Sequence, residues 1–101
     1  MTTKEENTIE AHMLLRRERP VLCLRRTVGQ GVLRYAVGVS DSTPPLYSIY
    51  AECALSEEHT VGEIPHFSDD RDKAERFCCL LEHCLATPLS LEALYEDSLT
   101  P

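Results

Sequence analysis

The chain has 101 residues, with ten Lys and Arg against seventeen Asp and Glu, a formal net charge of −7 and 43% hydrophobic residues. That length suits one domain, and the apolar fraction excludes a disordered chain. No apolar run nears the ~20 residues of a membrane helix, and the opening MTTKEENTIE lacks the basic-then-apolar order of a secretory signal, so the expected compartment is the cytoplasm, without membrane contact.

Residues 1–8 are polar and expected to be disordered. Residues 9–19 set Ile9 and Met13 at helical spacing and then run through Arg16, Arg17 and Arg19 to Pro20; a short amphipathic helix and an extended arm both satisfy this pattern. Residues 21–28 read as a strand, with Val21, Cys23, Arg25 and Thr27 on one face and Leu22, Leu24, Arg26 and Val28 on the other. Gly29-Gln30-Gly31 is a turn. Beyond it residues 32–40 alternate, with Leu33, Tyr35, Val37 and Val39 opposite Arg34, Ala36, Gly38 and Ser40, which predicts a hairpin. Asp41 to Pro45 is a loop.

The clearest alternation lies in residues 46–55, where Tyr47, Ile49, Ala51, Cys53 and Leu55 oppose Leu46, Ser48, Tyr50, Glu52 and Ala54. Ser56 to His59 makes a polar turn, and residues 60–64 read as a short fourth strand ended by Pro65. Ser68, Asp69 and Asp70 supply a cap and an acidic first turn. Ala74, Phe77, Cys78, Leu81, Cys84 and Leu85 then form a helical stripe. Thr87-Pro88 ends this helix and starts another, with Leu91, Leu94 and Tyr95 on its apolar side. A small meander is marginal alone. The predicted fold class is therefore α+β: one domain over residues 1–101, with an antiparallel β-meander of three or four strands in 21–64 and two helices in 69–99 covering one sheet face.

The strand LYSIYAECAL, the segment FSDDRDKAERFCCLLEHCLA and the ending TPLSLEALYEDSL resemble an uncharacterised family of small bacterial proteins, a domain of unknown function from Gram-positive anaerobes. The resemblance spans residues 46–99. It implies no activity, cofactor, partner or site residue.

The chemistry-bearing residues are few. Five cysteines, an odd number without a secretory signal, are expected to stay reduced and mostly to fill core space. Cys79 and His83 stand one helical turn apart, the spacing that clips a metal or activates a thiol. Cys78 and Cys84 face the core stripe instead, and Cys79 lies away from the helix N-terminus. No nucleophile elbow, phosphate loop or HExxH is present, and His12, His59 and His66 are expected at the surface.

Charge is uneven. Residues 1–35 carry seven cations and four acids, and residues 36–101 carry three cations and thirteen acids. Arg16, Arg17, Arg19, Arg25, Arg26 and Arg34 are candidate contact residues, or they pair with the acidic half. Tyr35, Tyr47 or Tyr50 beside them would supply stacking for a nucleic acid, although a pI near 5.0 opposes phosphate at long range. The expectation is a non-enzymatic interaction or regulatory protein without a cofactor, acting through a protein partner or as a homo-oligomer. The alternatives are a nucleic-acid-binding regulator using the arginines and a thiol or metal protein using Cys79 and His83.

Overall fold

Residues 8–55 and 58–99 are described by the structure, a computed structural model. The polar opening through residue 7 lies outside them, as do Ser56 and Glu57 of the expected polar turn. Four strands, β1 (Arg19–Val28), β2 (Gly31–Val39), β3 (Tyr47–Leu55) and β4 (Glu58–Ser68), pair in chain order as an antiparallel meander. Helix α1 (Ile9–Leu15) precedes them, and α2 (Arg71–Cys84), a 3-10 turn (Pro88–Ser90) and α3 (Leu91–Leu99) follow. Short links enforce the order. Val28 pairs with Gly31, and Gly29 between them takes φ 59°, a left-handed value that costs glycine nothing.

The expected α+β meander with one face under the C-terminal helices is the fold observed. Alternation turns Leu33, Tyr35, Val37, Ile49, Ala51 and Cys53 to one face, and Ala74, Phe77, Cys78, Leu81 and Leu91 close over them, all buried. Removing Phe77, Leu81 or Leu91 from water stabilises the domain by about 1.5–3 kcal/mol each. Phe67 of β4 stacks on Phe77 with ring centroids 4.8 Å apart and tilts against Tyr95 of α3 at 5.6 Å. The 3-10 turn crosses β4 at Gly62, where a Cβ would meet Pro88 at 3.1 Å.

Asp70 caps α2, its side chain accepting from the Asp72 amide at 3.0 Å. The other end corrects the expected stripe. Leu85 turns left-handed at φ 53°; its amide bonds the Glu82 carbonyl at 3.2 Å and the Ala86 amide bonds the Leu81 carbonyl at 3.0 Å, a Schellman stop. Cys84 and Leu85 are thereby exposed, and Ala86 enters the core, where its carbonyl accepts from the Tyr35 hydroxyl at 2.5 Å.

Two strand boundaries also differ. β1 begins at Arg19 and bulges between Pro20 and Leu22, so Val21 joins Leu22 and Leu24 against the helix-side core instead of sharing a face with Cys23. β4 continues through Pro65 to Ser68. An edge strand tolerates proline, and the register jumps there: Tyr47 pairs with Ser68 and Ile49 with Ile64. His66, at φ 52°, donates its amide to Ser48 Oγ at 3.1 Å inside this irregularity.

Candidate protein-binding surface

The N-terminal segment is a helix, and it covers the sheet face opposite α2. Thr8 caps it, accepting from the Ala11 amide at 3.1 Å, and Ile9 and Met13 bury against Ala36 and Tyr50, with Val61 beside them. Seven residues make too short a helix to stand alone. Three glutamates hold it down.

Glu52 of β3, buried, accepts from the Ile9 amide at 3.0 Å and from Arg34 Nη2 at 2.5 Å through Oε1, while its Oε2 lies 2.7 Å from His59 Nε2. The Arg34 guanidinium also forks onto Glu10 of α1, two contacts of 2.7 Å. Glu63 of β4 binds Arg16 Nε at 3.1 Å, Arg16 Nη2 at 2.7 Å and His12 Nδ1 at 3.1 Å. Glu18 arrives from a second Schellman stop, in which the Arg17 amide bonds the Leu14 carbonyl at 3.1 Å and the Glu18 amide the Met13 carbonyl at 2.8 Å. Its buried carboxylate accepts from Ser48 Oγ at 2.8 Å and from the Tyr50 hydroxyl. It fits because position 38 is glycine; a Cβ there would stand 3.0 Å from Glu18 Oε1.

The ionisation of these groups follows from their partners. The bond to Arg34 holds the Glu10 carboxyl below its usual range. Burial pushes Glu63 up, but Arg16 and His12 outweigh it and leave it lowered. The Tyr50 phenol is raised, chiefly by burial and then by the Glu18 carboxylate that accepts its hydrogen bond.

Beside α1 the cover is incomplete. Between α1 and β1 lies a groove of about 370 Å³ whose wall is mostly apolar, with Ile9, Met13, Leu14, Pro20, Cys23 and Ala36, and includes the acids Glu10 and Glu18, which are held by Arg34 and by Ser48 and Tyr50. Leu14, in this lining, is 79% exposed, and Leu15, next to it in the chain, is 82% exposed. Arg25 shares the Cys23 face of β1, directly opposite Arg34, and Arg17 follows Leu15 at φ 57°, a conformation that disfavours a side chain. Among the described residues, neither Arg17 nor Arg25 has a carboxylate within 4.0 Å in an ion pair.

The six candidate arginines therefore divide. Arg16 and Arg34 serve the α1 clamp. Arg26 points to the helix side and meets Glu82 of α2 at 2.9 Å. Arg19 lies 4.0 Å from Asp41, both largely exposed, a contact of ~0–1 kcal/mol. Of the tyrosines considered for stacking, Tyr35 and Tyr50 are fully buried, leaving Tyr47 half-buried.

Other expectations need correction. Cys53 and Cys78 fill the core; Cys23, Cys79 and Cys84 are exposed, and none of the five is in a disulfide. Cys78 is pushed up to about 12, first by burial. Cys79 and His83 are both exposed on α2, and among the described residues no group of three His, Cys, Asp or Glu gathers as a metal set. His12 and His59 are half-buried against Glu63 and Glu52, while His66 is exposed. The sequence reading missed Glu18, Ser48 and Glu52 as buried groups; the available sign was the Ser48-Ile49-Tyr50-Ala51-Glu52 pattern, whose polar side carries a tyrosine.

No described helix is long and apolar enough to cross a membrane. Comparison of the chain with family models, with curated proteins and with solved structures finds no match in any of the three.

Proposed function

We propose that this is a non-enzymatic interaction protein whose contact surface is the groove between α1 and β1, and that its occupant is a second copy of the chain. The observation that carries the reading is the open, largely apolar groove with Leu14 exposed in its lining and Leu15 exposed beside it in the chain. Monomeric proteins bury or scatter such side chains; a groove of this kind marks a contact surface.

Charge supports the choice of occupant. Arg17 follows closely after Leu14 and Leu15 in the chain and Arg25 shares the Cys23 face of β1; among the described residues neither is in an ion pair, and residues 36–101 carry thirteen acids against three cations. That acidic half also presents Leu89 at 93% exposure. Copies joined head to tail set its carboxylates against Arg17 and Arg25 and its exposed leucine in the groove. Arg16, Arg26 and Arg34 are engaged by carboxylates within the chain, which leaves fewer cations for a nucleic acid than the sequence offers.

Multi-angle light scattering of the full chain tests this. Self-association that weakens with salt and is abolished by Leu14→Asp with Leu15→Asp supports the reading. A wild-type monomer at every concentration and salt refutes it. Both leucines are exposed, so thermal melting should show the variant folded.

A further inference from the structure

A second concavity lies at the end of the sheet where β1 and β3 begin and α2 starts. Its volume is about 380 Å³, and Arg19, Arg71, Tyr47, Pro20, Val39 and Pro45 line it. Two guanidinium groups, from β1 and from the first residue of α2, border this one space. Both sheet irregularities, between Pro20 and Leu22 and between Tyr47 and Ile49, fall at this end. Bulges re-aim side chains and often stand beside functional sites.

The arginine valences are open. Arg19 approaches Asp41 only to 4.0 Å, with both side chains largely in water. Arg71 gives its Nε to Glu75 at 2.7 Å, and among the described residues its side chain makes no other hydrogen bond, so its two terminal nitrogens are unengaged. The Glu75 bond fixes the guanidinium and raises its pKa further.

We infer that this concavity binds a phosphate monoester carrying an apolar group, with Arg19 and Arg71 on the phosphate and Tyr47, Val39 and the two prolines against the apolar part. A phosphate monoester brings about −1.5 to −2 charge and three acceptor oxygens, enough for two arginine forks, whereas a carboxylate is matched by one. Flat proline and tyrosine surfaces suit a ring or short hydrocarbon, and no acid lines the cavity among the residues that define it.

Amide NMR of the full chain, titrated with phenyl phosphate, inorganic phosphate and phenol, tests the site. Phenyl phosphate should give saturable shifts at Arg19, Tyr47 and Arg71 and bind about ten-fold tighter than inorganic phosphate; phenol alone should not saturate. Arg19→Gln and Arg71→Gln, both at exposed positions, should each weaken phenyl phosphate about ten-fold or more, the loss of a charge-assisted hydrogen bond. Arg76→Gln, on α2 but outside the cavity, should change nothing. Absence of saturable shifts, equal affinity for phosphate and phenyl phosphate, or an equal loss in Arg76→Gln each overturns the inference. The Leu14→Asp, Leu15→Asp variant should bind phenyl phosphate as the wild type does, which separates this site from the groove.

Discussion

Replacing Glu52 with alanine is the sharpest single perturbation of the α1 clamp. The carboxylate is 5% exposed and joins three elements: the Ile9 amide of α1 at 3.0 Å, Arg34 of β2 at 2.5 Å and His59 of β4 at 2.7 Å. Stripping one partner from a buried pair commonly costs about 3–5 kcal/mol. Here Arg34 keeps its fork to Glu10 and is 24% exposed, so its charge is not stranded and the lower end applies. The Ile9 amide, first in the helix, loses its acceptor, which by itself costs about 1–3 kcal/mol. Both costs describe removal of the same carboxylate and are not summed, so the expected loss is about 3 kcal/mol out of the roughly 5–15 kcal/mol that holds a domain of this size. Urea titration should show a lower midpoint with an unchanged slope. Native-state hydrogen exchange should show α1 opening well below the global free energy. A loss under about 0.5 kcal/mol, within the range of an ordinary surface change, would refute the clamp. So would α1 amides as protected as in the wild type.

Three further outcomes follow from the same geometry. Arg17→Gly removes a side chain from a left-handed position and should stabilise the fold by about 0.5–1 kcal/mol while weakening self-association, since it removes a cation proposed to meet the acidic half of a second copy; a variant neither more stable nor weaker in association contradicts both roles. With folded protein, a thiol reagent should titrate Cys79 and Cys84 rapidly, Cys23 of the α1–β1 groove rapidly only where the chain is dissociated, and Cys53 and Cys78 only after denaturation; fast labelling of Cys78, whose thiol burial holds protonated, contradicts the packing of α2. Glu10 and Glu63 have lowered folded pKa values, so the stability they contribute is complete above their ordinary 4.5 and is lost as pH falls through those lower values. Protection factors at α1, which remove the intrinsic pH dependence of amide exchange, should therefore fall on acidification below that point, and release of α1 beginning above it counts against these pairs.

The helix-side core was legible because it obeys periodicity. Ile49 and Cys53 alternate in β3, Phe77 and Leu81 repeat along α2, and burial of both follows from the pattern. The opposite face was not legible for a physical reason. Alternation equates polar with solvated, yet Ser48 and Glu52 are buried because partners distant in sequence satisfy them: Glu18 for the serine, the Ile9 amide and Arg34 for the glutamate. Local geometry explains the remaining shifts. One extra residue in β1 turns Val21 onto the helix side, and the left-handed Leu85 takes Cys84 out of the stripe. The groove itself had no sequence signal, since residues 9–19 suited a helix and an extended arm equally, and the place of α1 on the sheet depends on Glu63 and Glu52.

The account stands on what the α1–β1 groove does in solution, and sedimentation equilibrium measures it directly. Runs at about 0.01 M and about 1 M salt, between which the screening length falls from roughly 30 Å to 3 Å, should show the wild type associating more strongly in the dilute buffer and the Leu14→Asp, Leu15→Asp variant monomeric in both. Identical monomeric masses for the two proteins at both salt concentrations would contradict it.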